Sequence, residues 1–139
     1  MSNKSIGTAF EREFAGLLAE KGFWVHRLQD NQNGQPFDII AVKNGRAYAF
    51  DCKDCAGRSF PLSRIEENQR LAMERWEKCG NGTGYFAVHF IASGTHILPF
   101  KEIKSYIKFG SSTLTEKDIK QIGTPLDSWG KDYADHDQQ

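Results

Sequence analysis

Asn44-Gly45 lies between two apolar runs, residues 37–42 and 47–53. A two-residue link of this type closes a tight β-hairpin, because both central positions need positive φ and Asn and Gly reach it at least cost. With these two as the loop, Lys43 faces Arg46 and the pairing of both strands follows. Asp38 then faces Asp51. Directly opposed residues share one face of a sheet, with Cβ atoms roughly 4.5–5.5 Å apart. Lys53, two residues beyond Asp51, projects from that same face. A slip of one residue would separate the three groups, so the turn carries the expectation.

Two facing carboxylates repel. Their strands also hold Ile39, Ile40, Val42, Tyr48 and Phe50, a density that suggests burial on both faces. Unpaired charges there would cost several kcal/mol unless neutralised (order of magnitude). Lys53 offsets one charge, and a divalent cation offsets both; carboxylate oxygens are the ligands that Mg²⁺ prefers. The competing reading is plainer. Asp38 simply ends a loop, and Asp51–Lys53 is an exposed ion pair.

The remaining pattern predicts a helix from Thr8 to Lys21 stopped by Gly22, a strand over 23–28, and a polar loop over 29–35. A second helix opens at Ser63-x-x-Glu66 and reaches Lys78. Strands over 85–90 and 95–98 follow, turned by Ser93-Gly94, and a short helix covers 100–107. The order α-β-β-β-α-β-β-α predicts an α/β fold, a central mixed sheet flanked by helices. Glu11 and Glu13 flank the apolar stripe of the first helix at similar angles, so either could lean toward the carboxylates. Thr8-x-x-Glu11 also fits a capping box, a purely structural use of Glu11. Gln69 shares a helix face with Ile65, Ala72 and Trp76, where a buried amide needs partners.

At 139 residues the chain predicts one domain over 1–126, followed by an acidic, partly disordered tail over 127–139 with four aspartates and one lysine. No apolar run is long enough to span a bilayer, and no secretory signal opens the chain, so a cytoplasmic protein without membrane contact is expected. Three cysteines argue against a disulfide framework. Cys52-x-x-Cys55 could be a redox pair or half a zinc site, but no second ligand pair completes it. Net charge is zero, yet residues 1–80 hold seven arginines and five lysines against eleven carboxylates. If Glu11, Asp38 and Asp51 bind metal, twelve bases face eight acids there, a net of +4. Such a body suits a polyanionic partner.

The motifs Gly7-x-x-x-Glu11-Arg12-Glu13, Pro36-Phe37-Asp38-Ile39-Ile40 and Asp51-Cys52-Lys53 resemble the PD-(D/E)xK nuclease superfamily, which implies a restriction-endonuclease-like core. Within it the chain is similar to the Holliday-junction resolvases, of both the archaeal and the bacterial RecU type. Ser59-Phe60-Pro61-Leu62 followed by Gln69 is especially RecU-like. Ile97-Leu98-Pro99-Phe100 with Ile103 is similar to the archaeal core. The resemblance covers residues 5–107, and Pro125-Leu126-Asp127 is similar to the RecU C-terminus. It selects Glu11 over Glu13. Asp51 stands where these families usually carry Glu, and the chain is too short before Asp38 for the RecU stalk.

The resemblance implies a Mg²⁺-dependent endonuclease, with Mn²⁺ as a substitute, that makes paired cuts in four-way DNA junctions and leaves 5′-phosphate ends. Asp38, Asp51 and the Cys52 carbonyl would hold the metal, with Glu11 reaching it directly or through water. Lys53 would act on the attacking water or the phosphate, and Gln69 would support the site. Arg58, Arg64, Lys4 and Arg70 are the expected DNA contacts. Two cuts need two sites, so a homodimer is expected, with the strand 85–90 and Trp76 as interface candidates. A bacterial or phage source is expected. The alternatives are the same chemistry on flaps, ends or nicked duplex, or a module that only binds DNA.

Overall fold

The computed structural model describes residues 3–29 and 36–131, and of residues 3–8 the backbone alone. Helix α1 (Asn3–Glu20) leads into strands β1 (Trp24–Arg27), β2 (Ile39–Lys43) and β3 (Arg46–Cys55). A short strand β4 (Ser59–Pro61) and a 3₁₀ turn over 62–64 precede α2 (Glu67–Trp76). Then come β5 (Tyr85–Phe90), β6 (Gly94–Pro99), α3 (Phe100–Lys108), β7 (Thr113–Thr115), α4 (Glu116–Ile122) and β8 (Thr124–Pro125). Six strands form one sheet in the order β1-β2-β3-β5-β6-β8, while β4 and β7 pair separately. Within the large sheet only β3 and β5 run parallel. The expected mixed sheet with flanking helices is the architecture found.

The hairpin forms in the predicted register, from Lys43 opposite Arg46 to Ile39 opposite Phe50. Asn44 and Gly45 both have positive φ, 53° and 77°. That pair of values matches the turn whose twist suits the flanking strands. Period-2 alternation then divides β3. Tyr48, Phe50 and Cys52 face α1, where Phe10, Phe14, Leu18 and Tyr85 build one core layer. Ala49 and Cys55 face the opposite layer of Phe60, Met73, Phe86, Phe100 and Ile103. Asp51 and Lys53 lie between Ala49 and Cys55 on that second face.

Helix α1 starts five residues before the predicted Thr8, so Thr8 sits inside the helix and cannot serve as its N-cap. The capping-box use of Glu11 is thereby removed. The other end follows expectation. Gly22, at φ 95°, closes the helix, and Gly22 N–H and Phe23 N–H donate to Ala19 O (3.0 Å) and Leu18 O (3.2 Å). These two bonds are the Schellman pattern. In α2 the predicted Ser63 start gives way to Glu66, because residues 62–64 wind as a 3₁₀ turn first.

Beyond α3, the elements β7, α4 and β8 had no counterpart in the sequence reading. They return the chain to the sheet edge, where Thr124 pairs with Ile97. Packing continues past residue 126. Trp129 is 3% exposed, stacked on Phe23 at 5.6 Å and edge-on to Phe50 at 5.3 Å. Residues 132–139 of the expected acidic tail, and 30–35 of the expected loop, lie outside the described residues. Among the described residues no helix is long and apolar enough to cross a membrane. The strand β5, an expected interface candidate, lies inside the sheet between β3 and β6 with five of its six residues buried. It is core, and cannot meet a second copy.

Candidate active site

Asp38 directly precedes β2 and is held from three sides by backbone. Its N–H donates to Phe50 O (2.9 Å), its carbonyl accepts from Leu28 N–H (2.9 Å), and its Oδ2 accepts from Cys52 N–H at 2.7 Å. The last bond fixes the carboxylate against β3, so Asp38 does more than end the loop before β2. Asp51 is 2% exposed. Burial first, and then a hydrogen bond with the Asp38 carboxyl, raise its pKa well above 3.8, against the opposing pull of Lys53. Two carboxyl groups this close cannot both ionise cheaply without a cation.

Lys53 is 8% exposed, so the exposed-ion-pair reading fails as well. Its Nζ lies 3.3 Å from Asp51 Oδ2 and donates to Gln69 Oε1 at 3.1 Å. Gln69 Oε1 also accepts from Glu66 N–H at 3.0 Å, so the first turn of α2 holds the amide while the amide holds the ammonium. The sequence reading put Gln69 in support of the site; its observed contact is Lys53. Asp51 Oδ2 is buried with no hydrogen bond of its own, its charged neighbour being the Lys53 ammonium. A buried carboxylate oxygen left in that state is a vacant hard donor, and with Asp38 it fits a divalent cation.

Glu11 is half-buried on α1, whereas Glu13 is exposed, so burial separates the two candidates that helical spacing left equal. Glu11 lies close enough to help Asp38 and Asp51 push up the pKa of the Cys52 thiol, an effect led by burial. It belongs to α1, the helix that packs on the Cys52 face of the sheet. Among the described residues no three Asp, Glu, His or Cys side chains converge as a ligand group. The two carboxyl groups seen in direct contact are those of Asp38 and Asp51.

Cys52 and Cys55 are three apart on one strand and point to opposite faces, which rules out the C-x-x-C pair. Of the expected DNA contacts, Arg58 is exposed in the loop after β3. Arg64 is exposed too, with Nη1 donating to Asp54 O (2.9 Å) and Cys55 Sγ (3.4 Å). Arg70 already faces Glu74 at 3.5 Å and Glu67 at 3.7 Å, so its charge is partly spoken for. The side chain of Lys4 lies outside the described residues. The sequence reading missed the pair of His89 and Asp54, Nδ1 to Oδ1 2.9 Å, which lies on the α1 face of the sheet against Phe10. Only the parallel pairing of β3 with β5 opposes those two residues, and no local signal encodes it.

Residues 2–126 match the family described as archaeal Holliday junction resolvase (Hjc). The chain is 30% identical over 94 residues to the crossover junction endodeoxyribonuclease Hjc of Methanocaldococcus jannaschii. That match covers 68% of this chain and 66% of the relative, just under two thirds of its length. The solved structure of Archaeoglobus fulgidus Hjc, described as a Holliday junction resolvase from an archaeal hyperthermophile, superposes with a TM-score of 0.68 at 18% identity. It covers 86% of this chain and 96% of that one, a likeness of fold that agrees with the expected restriction-endonuclease-like core. The matched family is archaeal, so the bacterial or phage source expected from the sequence is not borne out.

Proposed function

This chain belongs to the archaeal Holliday junction resolvase (Hjc) family, and on that premise we propose that it is a metal-dependent endonuclease that resolves four-way DNA junctions by paired cuts. The observation that carries the reading is the convergence of Asp38, Asp51 and Lys53, with Asp51 Oδ2 buried beside the ammonium and without a hydrogen bond. The motif order that resembles the PD-(D/E)xK superfamily and its RecU branch supports the same chemistry.

Asp38 and Asp51 would hold the cation, with the Cys52 carbonyl beside them and Glu11 reaching it through water. Mg²⁺ suits this oxygen set and keeps several waters of its own, and Mn²⁺ would substitute. When bound, the ion supplies a more acidic water and offsets charge on the scissile phosphate. Gln69 orients Lys53, whose ammonium stabilises a phosphate oxygen or manages the proton of the attacking water. The products carry 5′-phosphate and 3′-hydroxyl ends. Two incisions call for a homodimer with two-fold symmetry. The groove of about 870 Å³ that Phe37, Leu71 and Trp76 line, where Leu71 is 51% exposed, supports an interface there.

The test is incubation with Mg²⁺ and end-labelled four-way junction, flap and linear duplex. Symmetric paired cuts in the junction alone are expected. Faster cutting of flaps or ends would replace junction resolution with general structure-specific cleavage, and binding without any cutting would reduce the protein to a binding module.

A further inference from the structure

Strand β1 forms one edge of the sheet and carries an aromatic pair that none of the roles above uses. Trp24 is 63% exposed, and its ring stacks on that of His26, also exposed, with centroids 6.0 Å apart and planes 11° from parallel. The register places Trp24 opposite Val42 and His26 opposite Ile40. One row further, Leu28 meets Asp38. Val42, Ile40 and Asp38 alternate along one line, so the two rings stand on the same sheet face as Asp38 and Asp51. The His26 row lies roughly 6.8 Å along the strands from the Asp38 row.

Access points the same way. Asp51 and Lys53 are nearly closed off, at 2% and 8% exposure, beneath Gln69 of α2. Asp38, toward β1, is the open member of the trio, being only half-buried. A DNA phosphate reaching the carboxylates from Asp38 brings its flanking nucleotides over β1 and β2. Among the described residues nothing covers Trp24 there, and it stays 63% exposed.

We propose that Trp24 and His26 form a stacking platform for an unpaired nucleobase of the DNA substrate, next to the phosphate held at Asp38 and Asp51. The inference rests on the endonuclease reading and adds a contact to the base. Aromatic rings bind unpaired bases whatever their sequence, because every base has a π-face. In a fully paired duplex that face is stacked within the helix, so the platform selects DNA with bases opened at a branch. It supplies a structural preference where the long inserted stalk is missing.

The test uses full-length protein and an immobile four-way junction carrying 2-aminopurine at the branch point, in EDTA so that no strand is cut. Wild-type protein is expected to quench the fluorescence. Trp24→Ala should relieve the quenching and weaken junction binding at least about fivefold. It should leave duplex affinity and the salt slope unchanged, since no ionic contact is lost. Trp24→Phe should restore most of the loss, and His26→Ala should move both readouts in the same direction. Should Trp24→Ala lose its circular dichroism spectrum, Trp24→Phe and His26→Ala still decide the matter.

Unchanged quenching and affinity in these variants would overturn the platform. So would a binding loss that coincides with monomerisation by light scattering, which would make Trp24 a contact between copies of the chain. Wild-type cleavage of the junction in Mg²⁺ is followed in parallel. If wild type neither binds nor cuts, the endonuclease reading fails; if it does both and the variants match it, only the platform fails.

Discussion

Under the proposed function, Asp51 is a single side chain that sets stability and activity against each other. Burial, and then its hydrogen bond with Asp38, hold its pKa well above 3.8. A carboxyl raised by folding favours the folded state fully below its unfolded value, and that contribution is lost as pH rises through the folded value. In metal-free protein, Asp51→Asn removes this loss and should raise the neutral-pH Tm by about a few degrees. The advantage should shrink on acidification toward 3.8. Calorimetry in EDTA across that range checks it. The same variant should cut at least about a hundredfold more slowly, because charge stabilisation by the metal is worth several kcal/mol. Junction binding should persist. Full cleavage by Asp51→Asn in Mg²⁺ would sink the assignment of the site.

Among the elements, the segment joining β3 to α2 has two duties. It seats Gln69 against Lys53, and it displays Arg58 and Arg64 just beyond β3. Arg64 spends Nη1 on Asp54 O and Cys55 Sγ, while its guanidinium has donors to spare. If both arginines touch phosphate, the double variant Arg58→Ala/Arg64→Ala should weaken junction binding across sequences. It should also flatten the slope of log affinity against log salt by about two. An unaltered slope in a salt titration would remove this segment from the DNA surface.

At the scale of the whole molecule, the proposed paired cutting calls for a second copy. Trp76 packs edge-on to Phe37 at 5.5 Å, its Nε1 is buried without a hydrogen bond, and Leu71 stands exposed beside them. A charge at Leu71 would sit inside an apolar contact and cost several kcal/mol if buried there (order of magnitude). Leu71→Glu should therefore turn the dimer into a monomer by light scattering at micromolar concentration. It should also change paired cuts in a cruciform plasmid into single nicks. A monomeric wild type would refute the dimer, and a dimeric Leu71→Glu would move the interface elsewhere.

The hairpin was legible in the sequence because its information is local. Asn44-Gly45 sets the turn, the turn sets the register, and period-2 alternation then brings Asp38, Asp51 and Lys53 to one face. The helix stop at Gly22 was legible for the same reason. The start of α1 was not, since the helix runs through Gly7 without a break that sequence could mark. Other features depend on contacts between distant parts of the chain. Gln69 meets Lys53 only because β3 and β5 pair in parallel around α2. His89 meets Asp54 across 35 residues of chain, and Lys21 Nζ reaches the Asp127 carbonyl across 106. Trp129 enters the core at the end of that return, where a sequence of turn formers and acids gave no periodic signal. Sequence by itself determined which groups share a strand face. Tertiary packing decided how deeply they are buried, which helix steadies the lysine, and that Glu11 rather than Glu13 is half-buried, because those outcomes follow from pairings that no short window of residues contains.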